Sequence, residues 1–127
     1  MQEKQLFEYA VIRVVPRVER EEFMNVGVIL YCQSQQFLEV KFLLQEERLR
    51  AFSADLKLEE IDKNLQAFEK ICKGGKEGGP IGLQPISSRF RWLTATRSTI
   101  LQTSPVHLGL CIDPRGSLDR LFQQLVM

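Results

Sequence analysis

The sequence predicts an α+β domain in which two or three helices pack against an antiparallel sheet. Near the amino terminus, three apolar and β-branched segments are joined by short connections, which is typical of an antiparallel meander. Further along, apolar residues recur every three or four positions, which is the spacing of a helix face. The chain has 127 residues and 44% hydrophobic content, so we expect residues 1–127 to form a single domain.

Three strands are predicted in the N-terminal third of the chain. They cover Tyr9–Pro16, Val26–Cys32 and Phe37–Leu43. The second is almost continuously apolar, which is typical of a strand buried on both faces in the middle of a sheet. Gly27 lies inside this strand, and a glycine there predicts a β-bulge or the close approach of another backbone.

The middle of the chain predicts helices. A short helix is expected at Gln45–Phe52, and a longer amphipathic helix at Leu58–Cys72, ended by Gly74 or Gly75. We expect the longer helix to lie across one face of the sheet. The glycine-rich stretch Gly74–Pro85 lacks the residue order of a phosphate-binding loop, and we interpret it as a mobile linker.

The C-terminal third predicts the strands that complete the sheet and one last helix. In Arg89–Trp92, arginines alternate with aromatic residues, which predicts a strand with its aromatic side chains inward and its arginines outward. Ser98–Thr103 and Val106–Cys111 predict two further strands. Ser117 is the predicted N-cap of the last helix. The apolar face of that helix is formed by Leu118, Leu121, Phe122, Leu125 and Val126.

Composition narrows the class of function. The net charge of +1 argues against a general polyanion binder. The charge is uneven, because residues 86–127 carry five arginines and two aspartates whereas residues 1–85 carry 12 basic and 14 acidic side chains. No apolar run is long enough to span a membrane, and the first residues lack the apolar core of a signal peptide, so we expect a cytoplasmic protein.

The cysteine and histidine content argues against two kinds of site. Cys32, Cys72 and Cys111 are odd in number and about forty residues apart, so we expect three free, buried thiols and no disulfide framework. His107 is the only histidine, which leaves no zinc-binding spacing, and the acidic residues form no metal-ligand cluster. We therefore expect neither a metal ion nor a cofactor.

The stretch Arg89–His107 concentrates hydrogen-bonding side chains. It holds the only tryptophan, the only histidine and three of the ten arginines. Several of its donors could converge on an anionic group and form a cradle for it. The alternative is an internal polar network that ties this segment to the sheet. The residues of the predicted cradle are Arg97, Ser98, Thr99, Gln102 and Ser104.

Glu22 and Asn25 lie where the first connection enters the second predicted strand. Because no acidic residue occurs close to Arg97 in the sequence, Glu22 is our candidate for its counter-charge. Glu22 could equally hold Arg89 in position for a ligand. In the alternative interpretation, Asn25 only forms a turn and Glu22 makes a surface ion pair of small energetic value.

Two stretches carry a resemblance to a known family. The first is EFMNVGVIL at Glu22–Leu30; the second begins RFRWLTATRSTILQTSPVHLGL at Arg89 and continues to LDRLF, which ends at Phe122. Together they resemble the bacterial family catalogued as domain of unknown function thirty thirty-seven, and the likeness covers nearly the whole chain. That family has no established activity. Its members are often encoded near HipA-like serine/threonine kinases, which implies a kinase as a candidate partner.

We interpret the chain as a non-enzymatic accessory or interaction domain without catalytic residues. Its basic polar site would bind an anionic group on a protein partner or a small ligand. One alternative is nucleic-acid binding through Arg89, Arg91, Trp92 and Arg97. Another is a hydrolase or nuclease that uses Glu22, Arg97 and His107. The predicted ligand-binding or partner-binding residues are Glu22, Asn25, Arg89, Arg91, Trp92, Arg97, Ser98, Thr99, Gln102, Ser104 and His107.

Overall fold

The computed structural model describes residues 3–95, 97 and 99–127 of the chain. It contains an antiparallel sheet with helices on both faces, which confirms the predicted α+β fold class. None of the helices in these residues is long and apolar enough to cross a membrane. The elements, in order, are β1 (Gln5–Val14), β2 (Met24–Cys32), β3 (Phe37–Phe42), α1 (Glu46–Phe52), α2 (Leu58–Lys73), α3 (Gly79–Gly82), α4 (Ile86–Leu93), β4 (Leu101–Thr103), β5 (His107–Cys111) and α5 (Pro114–Leu125).

The first three strands form the predicted antiparallel meander. β1 pairs with β2 and β2 pairs with β3, both antiparallel. β2 therefore lies inside the sheet, and its residues from Val26 to Cys32 are all buried, as its apolar run predicts. On the other side of β1, β5 pairs with Gln5–Tyr9 and β4 pairs with Ile12–Val14. These two short strands share one edge of β1.

A β-bulge in β2 confirms the prediction made from Gly27. Ile12 pairs with Gly27, whereas the next residue of β1, Arg13, pairs with Asn25, so Val26 is the extra residue. Gly27 also meets the neighbouring strand closely. A Cβ atom at this position would lie 2.9 Å from the carbonyl oxygen of Lys41, so a side chain there would clash with the backbone of β3.

Two apolar cores lie on opposite faces of the sheet, because successive strand residues point to opposite sides. On one face, strand residues such as Ile12, Ile29 and Tyr31 pack against α1, α2 and α4. On the other face, residues such as Val28 and Leu30 pack against α5. The prediction that Leu58–Cys72 lies across the sheet is confirmed, since the apolar stripe of α2 belongs to the first core. α2 also ends at Gly74, as predicted.

The predicted strand at Arg89–Trp92 is wrong, because these residues belong to α4. Phe90 and Leu93 are completely buried, while Trp92 is 43% exposed, so the two aromatic side chains do not share an inward face. Ile86 packs against the same core. Apolar positions four and three residues apart make a helix face, and this longer period outweighs the short alternation of arginines and aromatics.

The glycine-rich stretch Gly74–Pro85, interpreted from the sequence as a mobile linker, contains secondary structure. Residues Lys76–Gly78 form a 3-10 turn and α3 follows directly. The amide of Gly75 donates a hydrogen bond to the carbonyl oxygen of Gly82, 2.8 Å away. A Cβ atom on Gly82 would lie 2.4 Å from the carbonyl oxygen of Gly75. The glycines therefore allow two backbone segments to touch.

The start of the last helix also differs from the prediction. α5 begins at Pro114, with Asp113 in the N-cap position, so Ser117 lies inside the helix and is buried. Proline is favoured in the first turn because its missing N–H would have no helical partner there. The predicted strand at Ser98–Thr103 is shorter in the structure, where β4 covers Leu101–Thr103 and Ser98 lies outside the described residues.

Candidate functional site

An exposed tryptophan and an arginine stack on each other at the end of α4. The guanidinium carbon of Arg97 lies 4.2 Å from the centre of the Trp92 ring. A guanidinium nitrogen of Arg97 also donates a hydrogen bond to the carbonyl oxygen of Trp92. Stacking of this kind is worth about 0.5–1 kcal/mol at an exposed site, and together with the hydrogen bond it fixes the plane of the guanidinium.

The fold explains why Trp92 is accessible. α4 directs Phe90 and Leu93 into the core, where both are fully buried. Each helical residue is rotated by about 100° from the one before it. Trp92 therefore leaves the buried face, and its ring offers one side to Arg97.

A cleft of about 250 Å³ lies next to this pair. Its volume is below the roughly 300–1,000 Å³ of typical small-molecule sites, so it suits one or two side chains better than a cofactor. The apolar part includes Phe68 and Ile71, and the polar part includes Asn64 and Thr99. The full lining is Asn64, Ala67, Phe68, Ile71, Trp92, Arg97, Thr99 and Leu101.

Arg89 has a structural position at the end of α2. One of its terminal nitrogens donates to the carbonyl oxygens of Ile71 and Cys72, at 2.9 and 2.7 Å. Its Nε donates to the carbonyl oxygen of Gln84, 3.1 Å away. The last carbonyl groups of a helix have no partner within the helix and carry partial negative charge, so a guanidinium is well placed there.

Arg91 is held by Glu8 of β1. Its two terminal nitrogens lie 2.8 and 3.0 Å from the two carboxylate oxygens of Glu8, which is a bidentate arrangement. The hydrogen bond with Glu8 raises the pKa of Arg91. This pair ties α4 to the sheet, so a ligand that used Arg91 would have to compete with Glu8.

The hydroxyl and amide side chains of the predicted cradle bind backbone groups. Thr99 Oγ1 donates to the carbonyl oxygen of Leu101 at 2.7 Å, and Gln102 Nε2 donates to that of Thr99 at 2.8 Å. Ser104 Oγ accepts the amide of Val11 at 2.9 Å, and it donates to the carbonyl oxygen of Pro105. These contacts match the internal network that was the alternative to a cradle, while Ser98 lies outside the described residues.

Ser104 has a specific part in the sheet. It lies between β4 and β5, where the edge strand is interrupted. Its hydroxyl accepts from the amide of Val11, and its own amide donates to the carbonyl oxygen of Val11, 2.8 Å away. The buried hydroxyl therefore takes the place of a backbone acceptor in the β1 ladder.

The expected pairing of Glu22 with Arg89 or Arg97 is wrong. Glu22 forms an ion pair with Arg20, two residues before it, and both side chains are more than half exposed. Because only one residue separates Glu22 from Arg20, this ion pair can form locally and needs no contact between distant parts of the chain. Glu22 lines a different cleft, beside Phe52 and Asp55.

Asn25 and His107 are also placed away from the Trp92–Arg97 pair. Asn25 Nδ2 donates to the carbonyl oxygen of Leu125 at 3.0 Å and so anchors the end of α5 to β2. His107 is exposed in β5, where its ring centre lies 5.3 Å from that of Tyr9. The hydrolase alternative needed Glu22, Arg97 and His107 together, and these three residues make contacts in different parts of the surface.

The cysteines behave as the sequence predicts. Cys32, Cys72 and Cys111 are free and buried in the structure. Burial raises the pKa of Cys72 to about 12, which keeps its thiol protonated and a poor nucleophile at neutral pH. Within residues 3–95, 97 and 99–127, no cluster of three or more His, Cys, Asp or Glu side chains is placed to hold a metal ion.

A comparison with family models places the chain. The model described as "Protein of unknown function (DUF3037)" matches residues 9–126. The chain belongs to this family. The match confirms the resemblance seen in the sequence and covers every strand and helix from within β1 to α5. Comparisons with curated proteins and with solved structures returned no match.

Sequence reasoning named Trp92 and Arg97 as separate candidate residues, but it missed both their stacking and the α2 side of the cleft. Asn64 and Ala67 belong to that side, and both lie on a helix that was treated only as a core element. The roles of Arg89 and Arg91 were missed because their partners are distant in the chain. The spacing of Ile86, Phe90 and Leu93 was the signal that could have revealed α4.

Proposed function

We propose that this domain is a non-enzymatic interaction module that binds an acidic group on a protein partner at the Trp92–Arg97 site. The observation that carries the proposal is the stacked Trp92–Arg97 pair beside a cleft with an apolar part. A guanidinium has five N–H donors, and the carbonyl group of Trp92 uses one of them. A carboxylate of the partner would accept hydrogen bonds from others, in the fork geometry that arginine favours.

The cleft adds a second requirement on the partner. An apolar side chain next to the acidic group would enter it and contact Phe68 and Ile71. Interfaces often concentrate their binding energy in a few tryptophan and arginine residues surrounded by less important contacts. The proposed ligand is therefore a peptide segment with neighbouring acidic and apolar side chains.

A HipA-like kinase is our candidate for the partner. The support is the family resemblance, since members of the family are often encoded near such kinases. The geometry of the Trp92–Arg97 pair and the cleft restricts which part of the kinase would bind. That segment would carry neighbouring acidic and apolar side chains.

Nucleic-acid binding is less well supported than protein binding. It would require the guanidinium groups of Arg89 and Arg91, which are engaged by helix carbonyl groups and by Glu8. Trp92 and Arg97 alone offer one stacking surface and one cation. The overall charge of +1 adds little general attraction for a polyanion.

The test is to measure the affinity of the purified domain for a purified HipA-like kinase from the same organism. Arg97→Lys keeps the positive charge but loses the fork and the stacking plane. We expect it to weaken binding by about tenfold or more, which corresponds to the roughly 1.5–3 kcal/mol of a charge-assisted hydrogen bond. Trp92→Ala should have a similar effect. Arg50→Lys, an exposed arginine on α1, is the control and should bind normally.

Two results would contradict the proposal. If both Arg97→Lys and Trp92→Ala bind the kinase as the wild type does, the site is elsewhere. If the wild type binds single-stranded nucleic acid with an affinity that falls steeply with salt, and the kinase does not bind, the nucleic-acid alternative replaces it.

A further inference from the structure

The outer side of β5 carries main-chain groups that are open to another strand. In the part of the chain that the structure describes, β5 pairs with β1 and with no other strand. The amide and carbonyl groups of Val11 both point toward this edge, where they bind Ser104. Because these groups alternate in direction along a strand, those of Phe7 point the same way and meet Gly109.

The alternation therefore decides which groups of β5 face outward. His107, Gly109 and Cys111 direct their main-chain groups to β1. Their partners Tyr9, Phe7 and Gln5 lie two, four and six residues before Val11, so the main-chain groups of these partners point toward β5 as those of Val11 do. Leu108 and Leu110 direct theirs away from the sheet. The edge thus presents two amides and two carbonyls, spaced to match another β-strand.

An apolar patch accompanies this open edge. Leu6 pairs with Leu110, and Leu108 lies opposite Glu8, so the three leucines share one face of the sheet. Leu6 is 57% exposed, Leu110 is 62% exposed and Leu108 is 66% exposed. No proline or charged residue occurs in β5. Such residues commonly protect an edge strand from pairing, and their absence leaves this edge ready to pair.

We propose that two copies of this chain pair through β5 and form a two-fold symmetric dimer with a continuous ten-stranded sheet. The strands would run antiparallel, with Gly109 of each copy next to the two-fold axis. Leu108 of one copy would then face Leu110 of the other and exchange two main-chain hydrogen bonds with it. The symmetry repeats this pair, which gives four hydrogen bonds in all.

The sequence of β5 favours a second copy as the occupant. The order His-Leu-Gly-Leu-Cys is nearly symmetric about Gly109, so two antiparallel copies place leucine against leucine on the same face. The edge also suits an identical strand electrostatically. β5 has no charged residue, and the nearest acid, Glu8, is already paired with Arg91, so two copies would meet without repulsion between like charges.

The contact would bury the main chain of both β5 strands and the facing sides of Leu108 and Leu110. Leu6 lies one strand further in, on β1, where it extends the same apolar face without reaching the other copy.

The first experiment measures the mass of the wild type and of two matched variants by sedimentation or light scattering. We expect the wild type to have twice the chain mass of 14.7 kDa. Leu108→Lys should be a monomer, because it places a charge against Leu110 of the other copy, whereas in the monomer the new ammonium group lies in solvent at a position that is 66% exposed. Leu83→Lys is the control, since Leu83 is also 66% exposed but lies beside α3, and it should remain a dimer.

The second experiment tests the register on the unmodified chain by amide hydrogen exchange. The amides of Leu108 and Leu110 should be protected at high protein concentration and exchange faster on dilution. The amide of Gly109 should be protected at both concentrations, because it faces β1. A monomeric wild type, a dimeric Leu108→Lys, or exchange at Leu108 and Leu110 that ignores concentration would each overturn the proposal. A monomeric wild type would leave a strand from another protein as the occupant of this edge.

Discussion

Three arginines in one short segment have three different roles, and their acceptors explain the difference. Arg89 reaches the last carbonyl groups of α2, Arg91 reaches the carboxylate of Glu8, and Arg97 stacks on Trp92. The first two guanidinium groups have strong acceptors inside the fold. Among the described residues, the third has an aromatic surface and one carbonyl, which is a weaker set of partners. At the scale of the residue, Arg97 is therefore the one of these three arginines on which the proposed partner site rests.

Replacement of Arg89 should destabilise the fold without affecting the Trp92–Arg97 site. Arg89→Ala would leave the carbonyl groups of Ile71 and Cys72 without their donor, so we expect the free energy of unfolding to fall by about 1–3 kcal/mol. Urea denaturation followed by circular dichroism measures this loss. Arg50→Ala is the control, since its exposed pair with Glu46 is worth about 0.5 kcal/mol at most. Equal losses of unfolding free energy in the two variants would show that the hydrogen bonds of Arg89 to the end of α2 stabilise the fold no more than an exposed ion pair does.

At the scale of the element, glycines are required where two backbones meet. The bulge of β2 brings Gly27 against β3, and the contact between Gly75 and Gly82 folds the segment before α4 into a compact turn. The first contact lies between β2 and β3, the strand on which α2 packs, and the second lies in the segment that precedes α4.

Two glycine-to-alanine variants should have effects of opposite sign. In Gly27→Ala the new Cβ meets backbone and Cβ atoms of Lys41 and Phe42 at 2.9 Å, so we expect a loss of about 1–3 kcal/mol in unfolding free energy. In Gly116→Ala the nearest atom is the side-chain oxygen of Asp113, which can rotate away. There the higher helix propensity of alanine should stabilise α5 by up to about 1 kcal/mol. Thermal unfolding of both variants checks the signs, and a stable Gly27→Ala would contradict the close contact.

At the scale of the whole molecule, one sheet connects two apolar cores. The strand residues of the two cores alternate along β1 and β2, so each of these strands contributes side chains to both cores. Loss of the helices from one face would therefore expose apolar side chains of the same strands that support the other core. We therefore expect the two faces to unfold together. Trp92 lies on the face covered by α4. If the two faces unfold together, its fluorescence will also change when unfolding starts at the face covered by α5.

The variant Phe122→Ala tests this coupling. Phe122 is a buried residue of α5, and its truncation should cost about 3–5 kcal/mol. The fluorescence of Trp92 and the far-UV circular dichroism should shift to lower denaturant by the same amount. Phe23→Ala, at a site that is 44% exposed, should shift both signals much less. If circular dichroism changes at a lower denaturant concentration than Trp92 fluorescence in Phe122→Ala, the two cores unfold separately.

The sequence alone determined the features that depend on local order and period. The antiparallel meander, the buried strand Val26–Cys32, the bulge at Gly27 and the amphipathic α2 all follow from residue type and spacing. Trp92 and Arg97 also stand out in the sequence by residue type, but their stacking does not follow from it.

Only the tertiary structure decided which polar groups are satisfied inside the fold. Arg91 and Glu8 lie far apart in sequence, and they meet because α4 belongs to the core on that face of the sheet, where Phe90 stacks on Tyr31. The same holds for Ser104, whose hydroxyl completes the ladder at Val11. A donor-rich segment has the same sequence whether its donors bind a ligand or the protein itself. The choice depends on which distant acceptors the packing brings within about 3 Å, and no local pattern records that distance.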